Sequence, residues 1–152
     1  MALRWTKLLY GTGVELIDAQ HRRLFEWMNK LIDAFDRADA SDISSILGDL
    51  NAYAVKHFRC EERTMAKGNC AALCLNQTEH REFSNKLALL KKEFEINGPT
   101  PAVAREFKFF ILGWVRTHIQ AVDVHLQCTI KQGFRLEAPP STNVAADGAP
   151  PS

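Results

Sequence analysis

The chain alternates between long stretches in which apolar side chains recur every three or four residues and short stretches that contain glycine or proline. A spacing of three and four places side chains on one face of an α-helix, whereas a half-buried strand alternates every second residue. No stretch of alternating β-branched residues marks a strand. The pattern therefore predicts an all-α protein built from amphipathic helices.

Three groups of turn-forming residues punctuate the chain, and the apolar spacing between and beyond them gives four helical segments. They lie at Gly11 and Gly13, at Gly68-Asn69, and at 97–101. The apolar stripes of the four segments are Ile17, His21, Leu24, Met28, Leu31 and Phe35; Ile43, Leu47, Leu50, Ala54, His57 and Glu61; Leu73, Asn76, His80, Phe83, Leu87, Leu90 and Phe94; and Phe107, Phe110, Trp114, His118, Ala121 and His125.

Local signals mark where two of these helices begin. Ser41 or Asp42 can accept hydrogen bonds as the N-cap of the second helix, and Pro101 suits the first turn of the fourth. Helices joined by short turns pack as antiparallel neighbours, so we expect an antiparallel up-down four-helix bundle.

Composition narrows the class of protein. Of the 152 residues, 46% are hydrophobic and 24% are charged, and the formal net charge is +1. These values suit one globular domain, and the lack of a basic block argues against a nucleic-acid partner. No apolar run reaches the roughly 18 residues of a membrane span. The start lacks a secretory signal, so we expect no membrane partner, a cytoplasmic location and reduced thiols at Cys60, Cys70, Cys74 and Cys128.

The end of the chain differs in composition from the rest. Residues 138–152 are small, polar and rich in proline and alanine. Such a segment buries too little apolar area to offset the entropy lost on ordering. We therefore predict a bundle over residues 1–137 and a disordered tail over residues 138–152.

Each stripe carries polar side chains at positions that should face the core. They are His21, His57, Glu61, Asn76, His80 and His118. An unpaired buried imidazole or carboxylate is costly. One such histidine is usually satisfied by a carbonyl group, but four helices with the same feature indicate a shared polar layer. In a helical bundle, a layer of this kind is typical of a metal centre.

The number and spacing of these residues indicate more than one metal ion. His57 and Glu61 are four residues apart and share one helix face. Asp123 follows His118 by five residues, so it is displaced around the helix as an oxygen donor reaching past the histidine. Imidazole with carboxylate suits iron, manganese or zinc. The set exceeds what one tetrahedral zinc uses, so two bridged metals fit it better.

Three neighbouring polar residues are not expected to bind the metals. His125 lies about 10 Å along the helix axis from His118, and we interpret it as a histidine near the bundle end. Gln77 and Glu79 are each rotated by about 100° from the third stripe.

Four segments in order resemble the hemerythrin family, most closely its single-domain bacterial members, the bacteriohemerythrins. The segments are GVELIDAQHRRL at 13–24, HFRCEERTM at 57–65, HREF at 80–83 and WVRTHIQAVD at 114–123. The resemblance extends over roughly residues 5–130. It implies a four-helix bundle that holds two non-haem iron ions, with an oxo or hydroxo bridge, and binds dioxygen reversibly.

The resemblance also implies a role for each matching position. The implied ligands are His21 and His57 on the iron with an open position, His80 and His118 on the other iron, and Glu61 and Asp123 bridging the two. Leu24, one turn beyond His21, matches an apolar residue beside the oxygen site. Such residues exclude water and slow irreversible oxidation.

One position departs from the family's pattern. The family usually has a third histidine on the second iron, four residues before the position of His80, and here that residue is Asn76. An amide oxygen is a weaker iron ligand than imidazole. The second iron would therefore have a weak ligand, a water or an empty position there.

The resemblance predicts an oxygen-binding protein that is not an enzyme and acts in oxygen storage, delivery or sensing. Because of Asn76, two alternatives stay open. One is a redox enzyme of the same fold that handles peroxide, nitric oxide or iron oxidation. The other is a mononuclear iron or metal-storage protein. The sequence names no protein partner.

Overall fold

The computed structural model describes residues 2–127, apart from the side chain of Val124. The tail predicted for residues 138–152, the predicted domain end at residue 137 and Cys128 lie outside the described residues.

Four long helices form the body of the protein. In chain order the elements are α1 (Lys7–Tyr10), α2 (Glu15–Asp36), α3 (Ala40–Lys67), α4 (Leu73–Asn97), α5 (Pro101–Ala121) and a 3₁₀ helix (Asp123–Leu126). The long helices pack α2 on α3, α3 on α4, α4 on α5 and α5 back on α2. No strand occurs between residues 2 and 127, so the all-α four-helix bundle is confirmed.

Local capping marks the start of α3 and of α5. Thr100 accepts a hydrogen bond from the Val103 amide, with Pro101 in the first turn as predicted. At α3 the predicted N-cap at Ser41 or Asp42 is wrong. The helix begins earlier, and the Asp39 carboxylate accepts from the Asp42 amide at 3.0 Å. Asp39 suits this position equally well, and the turn after α2 decides which residue is used.

A buried polar contact fixes the entry to α2. The Thr12 hydroxyl and backbone N–H both donate to one carboxylate oxygen of Asp18, each at 2.8 Å. Both side chains are buried. Gly13, at φ 82°, supplies the left-handed turn between them. The contact sets the start of the helix that carries His21.

The predicted stripes of α2, α3 and α4 fill the interior, except that Leu73 at the start of α4 is only half-buried, and α5 needs a larger correction. Phe110 and Trp114 are only half-buried, and Ala121 and His125 are exposed. The buried face of α5 consists of Val103, Phe107, Ile111, Val115, His118 and Ile119. This helix has apolar residues on more than one face, so spacing alone did not select the inner one.

Candidate metal centre

The six predicted ligands meet in one buried layer of the bundle. They are His21 on α2, His57 and Glu61 on α3, His80 on α4, His118 on α5, and Asp123 at the start of the 3₁₀ helix. Each is at most 3% exposed. They form two groups whose ligand atoms lie within 4.8 Å of one another. We call His21, His57 and Glu61 the first site, and Glu61, His80, His118 and Asp123 the second site.

Glu61 belongs to both sites because its two oxygens face different histidines. Oε1 lies 2.7 Å from Nε2 of His21 and 2.8 Å from Nε2 of His57. Oε2 lies 3.0 Å from Nε2 of His80. This is the placement that a carboxylate bridging two metal ions requires.

Asp123 has the same divided arrangement. Its Oδ2 lies 3.2 Å from Nε2 of His21, and its Oδ1 lies 3.0 Å from Nε2 of His118. Asp123 was expected on the continuing helix, but α5 ends at Ala121. The change to a 3₁₀ helix places the carboxylate over the layer.

Several buried atoms of this layer make no hydrogen bond to any residue in the described range 2–127, which fits a metal-binding role. They are Nε2 of His80, Nε2 of His118 and both carboxylate oxygens of Asp123. These atoms approach one another closely, yet without hydrogen-bond geometry. An unsatisfied buried polar atom is costly, and cations held at the two sites would satisfy these atoms.

The carboxylates and histidines shift each other's pKa strongly. Burial lowers the pKa of His21, but the carboxylates of Asp123 and Glu61 outweigh burial and raise it to about 10. Burial acts upward on the pKa of Glu61, but His57, His21 and His80 outweigh it and hold that pKa well below the usual value. The pKa of His118 is raised in the same way as that of His21, against burial, mainly by Asp123. Bound cations would take the place of these protons.

Asn76 occupies the inner face of α4 one turn before His80, and it is fully buried. Its Nδ2 lies 3.4 Å from Oε2 of Glu61 and 3.3 Å from Sδ of Met65. Its Oδ1 has no hydrogen-bond partner within the part of the chain that the structure describes. A half-turn of the amide would exchange the two atoms and direct the oxygen toward the second site.

Three residues that were not predicted from the sequence contact Nδ1, the histidine ring nitrogen that faces away from the layer. The pairs are Oε1 of Gln20 with Nδ1 of His57 at 2.7 Å, Oε1 of Glu62 with Nδ1 of His80 at 2.9 Å, and Oε2 of Glu79 with Nδ1 of His118 at 2.5 Å. Each is the chain neighbour of a predicted ligand and contacts the histidine of the next helix. That adjacency is the signal that could have found them. Glu79 does lie off the stripe, as predicted, and contacts a ligand from behind.

Aromatic rings support the second-site histidines. Phe58 stacks on His80 with ring centroids 3.9 Å apart, and Trp114 stacks on His118 at 4.2 Å. Phe83 contacts both Phe58 and Trp114. These contacts restrict rotation of the two imidazoles.

The remaining predicted residues are placed as follows. Leu24 is buried in the main apolar cluster, one turn beyond His21. His125 is exposed in the 3₁₀ helix and is not part of the buried layer of predicted ligands. Cys60 and Cys74 are free thiols.

The expectation of reduced thiols is wrong for Cys70, which is disulfide-bonded. Its Sγ lies 3.8 Å from the carbonyl oxygen of His125. The turn after α3 therefore lies beside the 3₁₀ helix, a proximity that spacing along the chain does not reveal.

Across residues 2–127, no helix has both the length and the apolar character needed to cross a membrane.

Comparison with known proteins identifies the family. Residues 12–127 match the family described as hemerythrin HHE cation binding domain. Bacteriohemerythrin of Methylococcus capsulatus is 32% identical over 121 residues, which cover 80% of this chain and 91% of the relative. Myohemerythrin of Riftia pachyptila is 33% identical over 114 residues, which cover 75% and 82% respectively.

A solved structure gives the same result. The crystal structure of wild-type hemerythrin superposes with a TM-score of 0.74 at 30% identity, and the match covers 85% of this chain and 98% of that one. Together with the buried His, Glu and Asp layer, these matches confirm the resemblance: the chain belongs to the hemerythrin family, is of the bacteriohemerythrin type, and carries that family's cation-binding domain.

Proposed function

We propose that this protein binds dioxygen reversibly at a non-haem di-iron centre with an oxo or hydroxo bridge, for oxygen storage, delivery or sensing. One observation carries the proposal: Glu61 directs one carboxylate oxygen at His21 and His57 and the other at His80. A single-metal site has no need of a carboxylate divided in this way. Imidazole and carboxylate donors suit iron.

The residues of the chain would perform distinct tasks in this function. His21 and His57 would hold the iron that has an open position, while His80 and His118 would hold the other. Glu61 and Asp123 would fix the distance between the metals. When bound, the iron pair supplies the electrons and the coordination position that dioxygen needs.

Exclusion of water is the second requirement. Leu24 is 1% exposed and lies one helical turn beyond His21. An apolar residue at this position would keep water and protons from the oxygen pocket, which slows irreversible oxidation of the metals. We assign this role to Leu24.

The proposal describes a binding protein rather than an enzyme, with dioxygen as its partner and with neither nucleic acid nor a membrane as a partner. It also places the protein in the cytoplasm. Reversible oxygenation tests it: the iron-loaded, reduced protein should gain an absorption band under oxygen and lose that band under argon over repeated cycles. Permanent oxidation in the first cycle would overturn it.

A second candidate function rests on Asn76. The Asn76 amide donates a hydrogen bond to Glu61 at 3.4 Å, where an imidazole would instead bind the metal. The second iron would therefore keep an exchangeable position or be lost. The protein would then be a redox enzyme acting on peroxide, nitric oxide or ferrous iron, or a mononuclear iron protein. Steady-state consumption of peroxide that Asn76→His abolishes would favour the enzyme.

A further inference from the structure

The side chains that contact Nδ1 of the predicted histidine ligands differ between the two sites: they are charged at the second site and neutral at the first. In the second site, Nδ1 of His80 and Nδ1 of His118 each contact a carboxylate, from Glu62 and Glu79. In the first site, Nδ1 of His57 contacts the neutral amide of Gln20. Nδ1 of His21 has no hydrogen-bond partner among the described residues.

This difference matters because a carboxylate can only accept a hydrogen bond from the ring. Nδ1 of His80 and of His118 must therefore carry a proton, so it is Nε2 whose lone pair would face a bound metal ion. A charged acceptor also makes the imidazole a stronger electron donor than a neutral amide does. Gln20 fixes the ring of His57 without adding that charge.

The two carboxylates are placed to act on geometry as well as on charge. Glu62 on α3 contacts a histidine of α4, and Glu79 on α4 contacts a histidine of α5. The side chains of Glu62 and Glu79 are 28% and 29% exposed, so water can reach the carboxylates while the rings they hold stay buried. Each carboxylate thus joins two neighbouring helices at the second site.

We propose that Glu62 and Glu79 are positioning residues that make the second site the tighter of the two, offsetting the imidazole that Asn76 does not supply. With Asn76, each site has two histidines, so the ligands alone do not favour the second site by imidazole count. The two outer carboxylates supply the difference. This inference rests on the proposed two-metal function.

The test uses the full-length chain loaded with Zn²⁺ as a diamagnetic probe, together with Glu62→Gln and Glu79→Gln. We first measure zinc per chain and its rate of loss to a chelator. The second-site metal should leave last from the wild type. Each substitution should speed loss of the second-site metal by about 10- to 100-fold, the usual effect of removing such a hydrogen-bond partner. The rate at which the first-site metal is lost should not change. Glu82→Gln, an exposed residue on the same helix, is the matched control and should change neither rate.

Imidazole NMR provides a readout that a merely structural role would not move. Glu62→Gln should shift the Nδ1 proton resonance of His80 upfield and leave that of His118 in place, and Glu79→Gln should do the reverse. Gln20→Glu should add the missing charge behind His57 and slow loss of the first-site metal. Far-UV circular dichroism confirms that every variant folds.

The outcomes separate the two proposals. Two zinc ions per wild-type chain with unchanged loss rates in the glutamate variants would overturn the inference and leave the proposed function standing. One zinc per chain would overturn the two-metal function. The inference then survives only if the glutamate variants release that single ion faster. A wild-type chain that binds no zinc would overturn both.

Discussion

Nδ2 of Asn76 lies 3.4 Å from Oε2 of Glu61, which is the same carboxylate oxygen that faces His80. An imidazole at this position would add a third nitrogen ligand to the second site. The amide instead offers a hydrogen-bond donor to the bridging carboxylate, and its own oxygen has no hydrogen-bond partner among residues 2–127. The family resemblance implies a histidine at this position, and the chain has Asn76 there instead.

Restoring the imidazole tests the importance of that departure. Asn76→His should slow loss of the second-site metal by about tenfold or more and prolong the oxygenated form, because the site gains a strong nitrogen ligand. Metal release to a chelator and decay of the oxygenated spectrum measure the two effects. Asn76→Gln, which keeps an amide, is the control. An unchanged oxygenated lifetime in Asn76→His would show that Asn76 does not limit the centre.

The metal-free protein should lose stability as the pH rises above 6.5. The pKa of His21 is 6.5 in the unfolded chain and about 10 in the fold, so its contribution is complete below pH 6.5 and is lost as the pH approaches 10. The pKa of Glu61 is lowered from its usual 4.5, so this carboxylate stabilises the fold fully above pH 4.5. That stabilisation is lost as the pH falls below 4.5.

Urea unfolding of the metal-free protein across this pH range measures the effect. We expect a plateau between about pH 4.5 and 6.5 and a decline on the order of a few kcal/mol by pH 10. His21→Gln should reduce the decline, and the part that comes from His118, whose pKa is also raised, should remain. Stability that rises between pH 6.5 and 10 in the unsubstituted chain would contradict the arrangement of carboxylates around His21.

Tryptophan fluorescence should report metal binding through one ring. Trp114 stacks on His118 with planes only 13° apart, so a transition metal on that histidine should quench its emission by energy or electron transfer. Trp114→Phe should remove most of the quenching. Trp27→Phe should retain it, because Trp27 contacts Lys30 and Arg23 rather than a histidine. Equal quenching in both variants would place the metal elsewhere.

Truncating the apolar residue beside the first site should separate stability from function. Leu24→Ala should destabilise the protein by about 2–5 kcal/mol and speed irreversible oxidation of the iron-loaded form, because water enters the pocket. Leu31→Ala, two turns further along α2 and fully buried, should cost similar stability. If both variants oxidise at the same rate, Leu24 has no specific role at the oxygen site.

Local patterns predicted the fold well because each long helix has a buried apolar stripe, and α3 and α5 also have a side-chain N-cap. The stripes of α2 and α3, which carry His21 and His57, are buried as expected. The inner face of α5 was misassigned because that helix has several apolar faces. The N-cap of α3 was displaced to Asp39 because neighbouring residues have similar capping ability.

The spacing of residues along the chain predicts which side chains share a helix face, but not which side chains of different helices contact each other. The six candidate ligands were predicted from the stripes and the family resemblance, and the structure brings these side chains together. The outer partners Gln20, Glu62 and Glu79 were not identified, because their role depends on contacts between different helices. The disulfide at Cys70 was missed for the same reason, since it depends on how the turn after α3 lies against the end of the bundle.

Iron content measured together with the absorption spectrum tests the central claim most directly. The protein is loaded with ferrous iron, reduced without oxygen, and then exposed to air and returned to argon. The account predicts two irons per chain and a charge-transfer band that appears in air and disappears under argon. One iron per chain, or a spectrum that passes directly to the oxidised form, would contradict it.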